Sequence, residues 1–259
     1  MILVLSGTSD GNRLIRELAN LGYRVLATAV TPYGAYLARE AGALEVYQGE
    51  LDKTSFKELV QREKVEAVID ATHPYAEKIT SIAQEVAEDI DIPYFRLRRE
   101  FAPVPPHPLV NMASDWEEAA EAAARARGNT VFLAIGSRRL EVFANHEGLR
   151  KKRLVARILP DRDSLEKCLK LGFWPRDIIA LQGPFSYELN LALFREYKAE
   201  VLVTKDSGHT GGFLEKIQAA IDLGLEVILL RRPLEPPGLR LEEILEVLNR
   251  TFKNGAVIS

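Results

Sequence analysis

The chain has 259 residues, 47% of them hydrophobic and 27% charged, the balance of a water-soluble globular protein, which excludes wholesale disorder. Its 34 Lys and Arg residues meet 37 Asp and Glu, and a net charge of −3 supplies no whole-molecule attraction to nucleic acid or to an anionic membrane. No apolar run approaches the roughly 18–20 residues that cross a bilayer. The opening MILVLSGTSD lacks a signal-peptide pattern, and Cys168, the only cysteine, excludes an internal disulfide. The expectation is a cytoplasmic protein of one large or two small domains.

Short β-branched runs alternate with amphipathic stretches from end to end. Ile2–Leu5, 23–29, 45–47, Ala67–Asp70 and 93–96 read as strands. Near-continuous apolar runs such as MILVL and AVID suit strands covered on both faces, as in parallel sheets. Between them lie helix patterns: Ile79, Ile82, Ala83 and Val86 form one helical stripe, with Pro74 just ahead of it. Five strand–helix units of this kind predict a doubly wound sheet. The stretch FAPVPPHPLV then brings Pro103, Pro105, Pro106 and Pro108, each removing a backbone donor, and residues 101–114 read as an interdomain crossing. Beyond it, a helix over 115–127 is expected with Ser114 as its cap. Strands follow at 130–135, Arg153–Ile158, 178–182, 201–204 and Glu226–Leu230, and a closing helix at 241–252 is free to pack on either domain. The expected fold class is α/β: two Rossmann-like domains, 1–104 and 105–259, with mainly parallel sheets and a ligand cleft between them.

Chemistry in such folds sits in the loops at the carboxyl ends of strands. The first strand runs into SGTSDGNRL, where Ser6, Gly7, Thr8 and Ser9 offer backbone, hydroxyls and the positive end of a helix, the requirements of a phosphate site. A tight turn needing glycine only for its backbone angles is the alternative. The second strand ends in Ala29, Val30 and Thr31, without the acid that holds the ribose of NAD, and Arg13 is placed to meet a 2′-phosphate. The pattern leans towards NADPH, with NADH possible. The loop DATHPYAEK carries Asp70, Thr72, His73 and Tyr75, in which His73 is a candidate proton shuttle or carboxylate partner; a plain helix cap at Thr72 is the bland alternative. VTKDSGHTGGFLEK sets Thr204, Lys205, Asp206, Ser207 and Gly208 ahead of Gly211 and Gly212, a glycine-framed loop with a mobile positive charge. QGPFSYELN places Gly183, Phe185 and Ser186 in a sharp turn, with Asn190 one helical turn beyond; Ser186 as an N-cap is the bland reading. AIGSRRL puts Ser137, Arg138 and Arg139 at another strand end, where arginines suit carboxylates. The chain has no G-x-S-x-G elbow and no H-E-x-x-H, so no metal site is expected.

Taken together, GTS, DATHPYA, GPFS with Asn190, and TKDSG–GG–EK followed by RRP resemble the precorrin-6A reductase family of cobalamin biosynthesis, in the family's order and over nearly the whole chain. The resemblance implies reduction of one double bond of the precorrin-6A macrocycle, or of its cobalt form, by NADPH. It implies cofactor contacts at Gly7, Thr8, Ser9 and from Thr204 to Gly212. It places His73, Tyr75, Gly183, Phe185 and Ser186 at the substrate, joined by Thr72, Ser137, Arg138 and Arg96 as further substrate candidates. Lys205, His73 and Asp206, in that order, are the candidate proton donors. Two departures stand out: Ser6 replaces the family's first glycine, and Glu100 and Phe101 follow Arg96 and Arg99 where a proline and tryptophan are common. The expected partner is a tetrapyrrole, with neither nucleic acid nor membrane, and the assembly is a monomer or a homodimer. Another NADP-dependent reductase of a polycarboxylate, a non-catalytic two-domain nucleotide- or tetrapyrrole-binding protein, and a two-domain glycosyltransferase remain open alternatives.

Overall fold

The computed structural model of the chain describes residues 1–73, 76–98, 106–206, 212–231 and 237–253. The chain divides into two compact units, Met1–Arg99 with Pro233–Ser259, and Glu100–Arg232.

In the first unit the chain runs β1 (Ile2–Leu5), α1 (Ser9–Asn20), β2 (Val25–Ala29), α2 (Pro32–Glu40), β3 (Glu45–Gln48), α3 (Lys53–Arg62), β4 (Ala67–Asp70), α4 (Glu77–Asp89) and β5 (Tyr94–Arg96). The strands are all parallel, in the order β3-β2-β1-β4-β5. Every residue of β1, β2 and β4 is buried, because helices cover both faces of a parallel sheet. Ile2, Val4 and Ile69 face Leu14, Ile15 and Leu18 of α1. Leu3, Leu5 and Val68 face Phe56, Leu59 and Val60 of α3 with Val86 of α4. The strand order reverses at β1, which lies between β2 and β4, and Leu5 is in register with Asp70. The loops leaving these two residues therefore lie side by side at the switch point where doubly wound sheets bind ligands.

The second unit contains β6 (Val110–Ala113), α5 (Trp116–Arg125), β7 (Thr130–Ala134), α6 (Leu140–Ala144), β8 (Arg153–Ile158), α7 (Arg162–Lys170), β9 (Ile178–Ala180), α8 (Tyr187–Glu196), β10 (Val201–Lys205), α9 (Phe213–Asp222) and β11 (Glu226–Leu230). Its six parallel strands run β6-β11-β10-β7-β8-β9. The stretch 101–114 is thus not all crossing: Val110–Ala113 is an edge strand paired with β11. Only Ala113 of its four residues is buried, so no apolar alternation announces it. The cap of α5 is Asp115, which accepts from the Glu118 N–H at 2.7 Å, while the Glu118 carboxylate takes the Ser114 N–H at 2.7 Å. Ser114, the expected cap, sits one residue too early, and its backbone is the group being capped.

The last described segment returns to the first unit. Leu239 forms an isolated parallel bridge with Leu97, and α10 (Leu241–Leu248) sets Ile244 and Leu248 into the core beside Leu14 and Leu18. The expected closing helix at 241–252 gives way after Leu248 to a π-helical turn, Asn249–Lys253. Among the described residues no helix is long and apolar enough to cross a membrane.

Candidate functional site

The β1–α1 loop is built around glycine. Gly7 is exposed with φ +107, a backbone conformation that only glycine adopts without strain, and no atom lies within 4 Å of where a Cβ would stand. Thr8 caps α1, its Oγ1 accepting from the Gly11 N–H at 3.0 Å and donating to the Ala71 carbonyl at 2.9 Å. That second bond ties the β1 loop to the β4 loop. Gly11 is buried, and a Cβ there would come 3.0 Å from Ser6 Oγ and 3.3 Å from Thr8 Oγ1. Ser6, Thr8 and Gly11 thus occupy the three spaced positions of a G-x-G-x-x-G fingerprint, with only the last, which allows close helix–strand packing, kept as glycine. Gly11 is a close-packing position, and its spacing from Ser6 is the signal for it in the sequence. Among the described residues no acceptor meets the N–H groups of Gly7, Thr8 or Ser9. An open turn of backbone donors at a helix start fits a pyrophosphate. Arg13 is exposed on α1.

The β4 loop is organised from inside. The fully buried Asp70 carboxylate accepts from Thr72 N–H at 2.9 Å, Thr72 Oγ1 at 2.7 Å, Thr80 Oγ1 at 2.7 Å and Tyr94 OH at 2.9 Å. It also pairs with the Arg96 guanidinium at 2.6 Å. Burial and the adjacent carboxylate push the Tyr94 phenol far above its ordinary range, so it stays a donor. Arg96, expected to meet substrate, is turned into the fold: its guanidinium also donates to Thr72 Oγ1 at 3.0 Å and to the Thr72 carbonyl at 3.1 Å. Thr72 is buried in the same network and does not cap α4, whose N-cap is Ala76. His73 follows, half-buried, at the rim of this braced turn. Tyr75 lies outside the described residues.

In the second unit the carboxyl edge gathers cations. Arg157, near the end of β8, is buried; it donates to Asn190 Oδ1 at 2.8 Å, and its guanidinium lies 4.3 Å from the Phe185 ring centroid and 5.6 Å from that of Phe132. Burial lowers its pKa to about 10. Lys205, at the end of β10, is half-buried; burial first, then the nearby Arg138, bring its ammonium down to about 8. Lys216, in the first turns of α9, is buried and falls to about 7, through burial and then repulsion by Arg157 and Lys205, with Asp206 opposing. The sequence assigns no role to Arg157, and Lys216 enters only as the last residue of the TKDSG–GG–EK motif, because a charged residue inside RLVARI or LEK looks like a solvated face until the fold is closed.

The remaining candidates divide into frame and rim. Asn190 is fully buried and donates to the carbonyls of Ser186, at 2.7 Å, and Phe185, at 3.3 Å, fixing the β9–α8 turn that carries Gly183 and a cis Pro184. Ser186 caps α8 through the Leu189 N–H at 3.2 Å. Ser137 Oγ is bonded to Ser164 Oγ at 2.8 Å, and Thr204 is enclosed in the sheet. Gly212 has φ +63, and a Cβ there would stand 3.0 Å from the Phe185 carbonyl oxygen; glycine is needed there for the approach of two loops. Arg138 is exposed. Ser207, Gly208 and Gly211 lie outside the described residues.

The profile of the family described as Precorrin-6x reductase CbiJ/CobK matches residues 1–250. The cobalt-precorrin-6A reductase of Priestia megaterium is 40% identical over 234 residues, covering 90% of this chain and 91% of the relative. That of Methanothermobacter thermautotrophicus is 39% identical over 236 residues, covering 90% and 76%. A solved structure, CobK precorrin-6A reductase, superposes with a TM-score of 0.74 at 26% identity over 96% of each chain. With a profile match that spans both sheets and every loop described above, this chain belongs to the Precorrin-6x reductase CbiJ/CobK family.

Proposed function

We propose that this chain reduces one ring double bond of cobalt-precorrin-6A, with NADPH as the reductant, in corrin-ring biosynthesis. The family match over residues 1–250 carries the reading, and the cobalt-bearing substrate follows the names of both relatives described above. Cofactor choice is supported by the open N–H groups of Gly7, Thr8 and Ser9 for the pyrophosphate, by exposed Arg13 for the 2′-phosphate, and by the lack of an acid where β2 ends. The reduced nicotinamide, when bound, supplies a hydride to one atom of the double bond. The chain holds both ligands and gives the neighbouring atom a proton. Lys205 suits that second role: its ammonium, at about 8, is protonated at neutral pH yet close enough to release its proton. His73 and Asp206 stand next in order. Arg138 and Phe185 are the described rim residues assigned to substrate. Arg96, Thr72, Ser137, Thr204 and Gly212 hold the frame. The cytoplasm, where NADPH is made, is the assigned compartment.

The test is an anaerobic assay of the full chain with NADPH and cobalt-precorrin-6A, followed by nicotinamide absorbance and by mass of the product. One NADPH consumed per macrocycle, with a product two hydrogens heavier, is expected. No oxidation of NADPH with either the cobalt or the cobalt-free substrate would sink the proposal.

A further inference from the structure

Arg157 and Lys216 are both more than nine-tenths buried, at 8% and 5% exposure. Among the described residues no carboxylate comes within ion-pair distance of either. Asn190 takes one N–H of the guanidinium, whose flat face lies against Phe185. A guanidinium has five N–H donors, so Asn190 meets only part of this one's capacity. The Phe213 ring lies 5.8 Å from Lys216 Nζ, and among the described residues Asp206 is the charge that favours its ammonium. A buried cation without a counter-charge costs several kcal/mol, and neighbouring cations raise that cost. Here Arg157 and Lys205 both act against the Lys216 ammonium, with Asp206 as the opposing charge. A bound anion would offset that cost. Both side chains lie at the carboxyl end of the second sheet, Arg157 next to last in β8 and Lys216 in the first turns of the helix that follows β10. Ligands bind at that edge in open parallel sheets.

We propose that Arg157 and Lys216 form an anion subsite of the second unit that holds one carboxylate of the tetrapyrrole and so fixes which way the macrocycle is presented. A planar carboxylate matches the fork of an arginine and accepts from an ammonium on its free side. The dinucleotide's phosphates have their own donors at Gly7, Thr8 and Ser9 in the other unit, which favours a carboxylate over a phosphate as the occupant. Burial and the neighbouring cations lower the Lys216 ammonium to about 7, so an arriving carboxylate draws a proton onto it. Binding then weakens as pH rises above about 7, with Arg157, Lys205 and Asp206 as the other charges acting on it.

The inference rests on the proposed function, and its test separates the two. In the full chain, Lys216→Met and Arg157→Gln are compared with wild type in KM and kcat for cobalt-precorrin-6A, in Kd for NADPH, and in Kd for uroporphyrin, a polycarboxylate tetrapyrrole that needs no turnover. Lys216→Met replaces an ammonium by an apolar group of similar length, so it keeps the core filled. The expected result is a KM and a uroporphyrin Kd raised about tenfold or more, as for a lost ionic contact of roughly 1.4 kcal/mol. NADPH affinity stays within about twofold, and Lys216→Arg restores most of the loss. Unchanged KM and uroporphyrin affinity would overturn the subsite. Weakened NADPH binding with unchanged KM would assign the pair to the cofactor's phosphate and overturn it equally. Should wild type fail to turn over cobalt-precorrin-6A, the proposed function falls, while the uroporphyrin arm still decides the subsite.

Discussion

Lys205 and Arg96 are both cations at strand ends, and the fold uses them in opposite ways. Lys205 is half-buried at the end of β10, and burial brings it to about 8. A donor must be protonated to act, so kcat is expected to fall as pH rises through 8. Lys205→Gln should lose that limb and about 10²–10⁴ of kcat, read from pH–rate profiles of both forms; an unaltered profile would remove Lys205 from the chemistry. Arg96 is instead sealed against Asp70 at 2.6 Å. Removing one member of a buried pair strands the other, so Arg96→Ala should destabilise by about 3–5 kcal/mol in denaturant unfolding. Lys205 was legible as a candidate because motif position at a strand end is local information. The inward turn of Arg96 was not, since it depends on Asp70, Thr72, Thr80 and Tyr94 converging from three elements.

At the scale of elements, the strand–loop–helix units are what the apolar periodicity shows most directly. MILVL and AVID are strands because helices cover both their faces. The edge strand Val110–Ala113 was hidden because its partner lies on one side only and three of its four side chains are not buried. Loop-to-loop approach is equally invisible along the chain. Gly212 stands where α9 meets the β9–α8 turn, and an added methyl would press on a backbone oxygen at 3.0 Å with φ at +63. Gly212→Ala should therefore cost about 1–3 kcal/mol and disturb Phe185 and Arg157 with it. Gly7→Ala meets no atom, carries only the strain of its φ, and should cost less, about 1–2 kcal/mol, while weakening NADPH binding. Thermal unfolding and fluorescence titration of both variants check the ranking; equal costs would contradict it.

At the scale of the whole molecule, the chain does not divide into two consecutive pieces. The segment that holds α10 joins the first unit, where Ile244 and Leu248 complete the core around Leu14 and Leu18. Truncation after Arg231 should remove on the order of 3–6 kcal/mol of burial from those two side chains alone, and so unfold the first unit preferentially. Both tryptophans, Trp116 and Trp174, belong to the second unit, so their fluorescence reports it separately. The truncated chain should lose part of its circular dichroism at low denaturant while the tryptophan transition holds. A single shifted transition by both probes would show that the two units unfold together.

The amino-acid sequence by itself determined the alternation of strands and helices, the doubly wound class of the first sheet and the strand-end loops that carry chemistry. It could do so because periodicity, glycine and proline act within a few residues of themselves. Family membership was legible for the same reason, through short motifs kept in order. Tertiary structure alone decided which charged residues face inward, where the last helix packs, and that Arg157 and Lys216 share a buried edge. Burial and charge interaction arise between residues far apart in the chain and depend on what surrounds each group once the fold has closed.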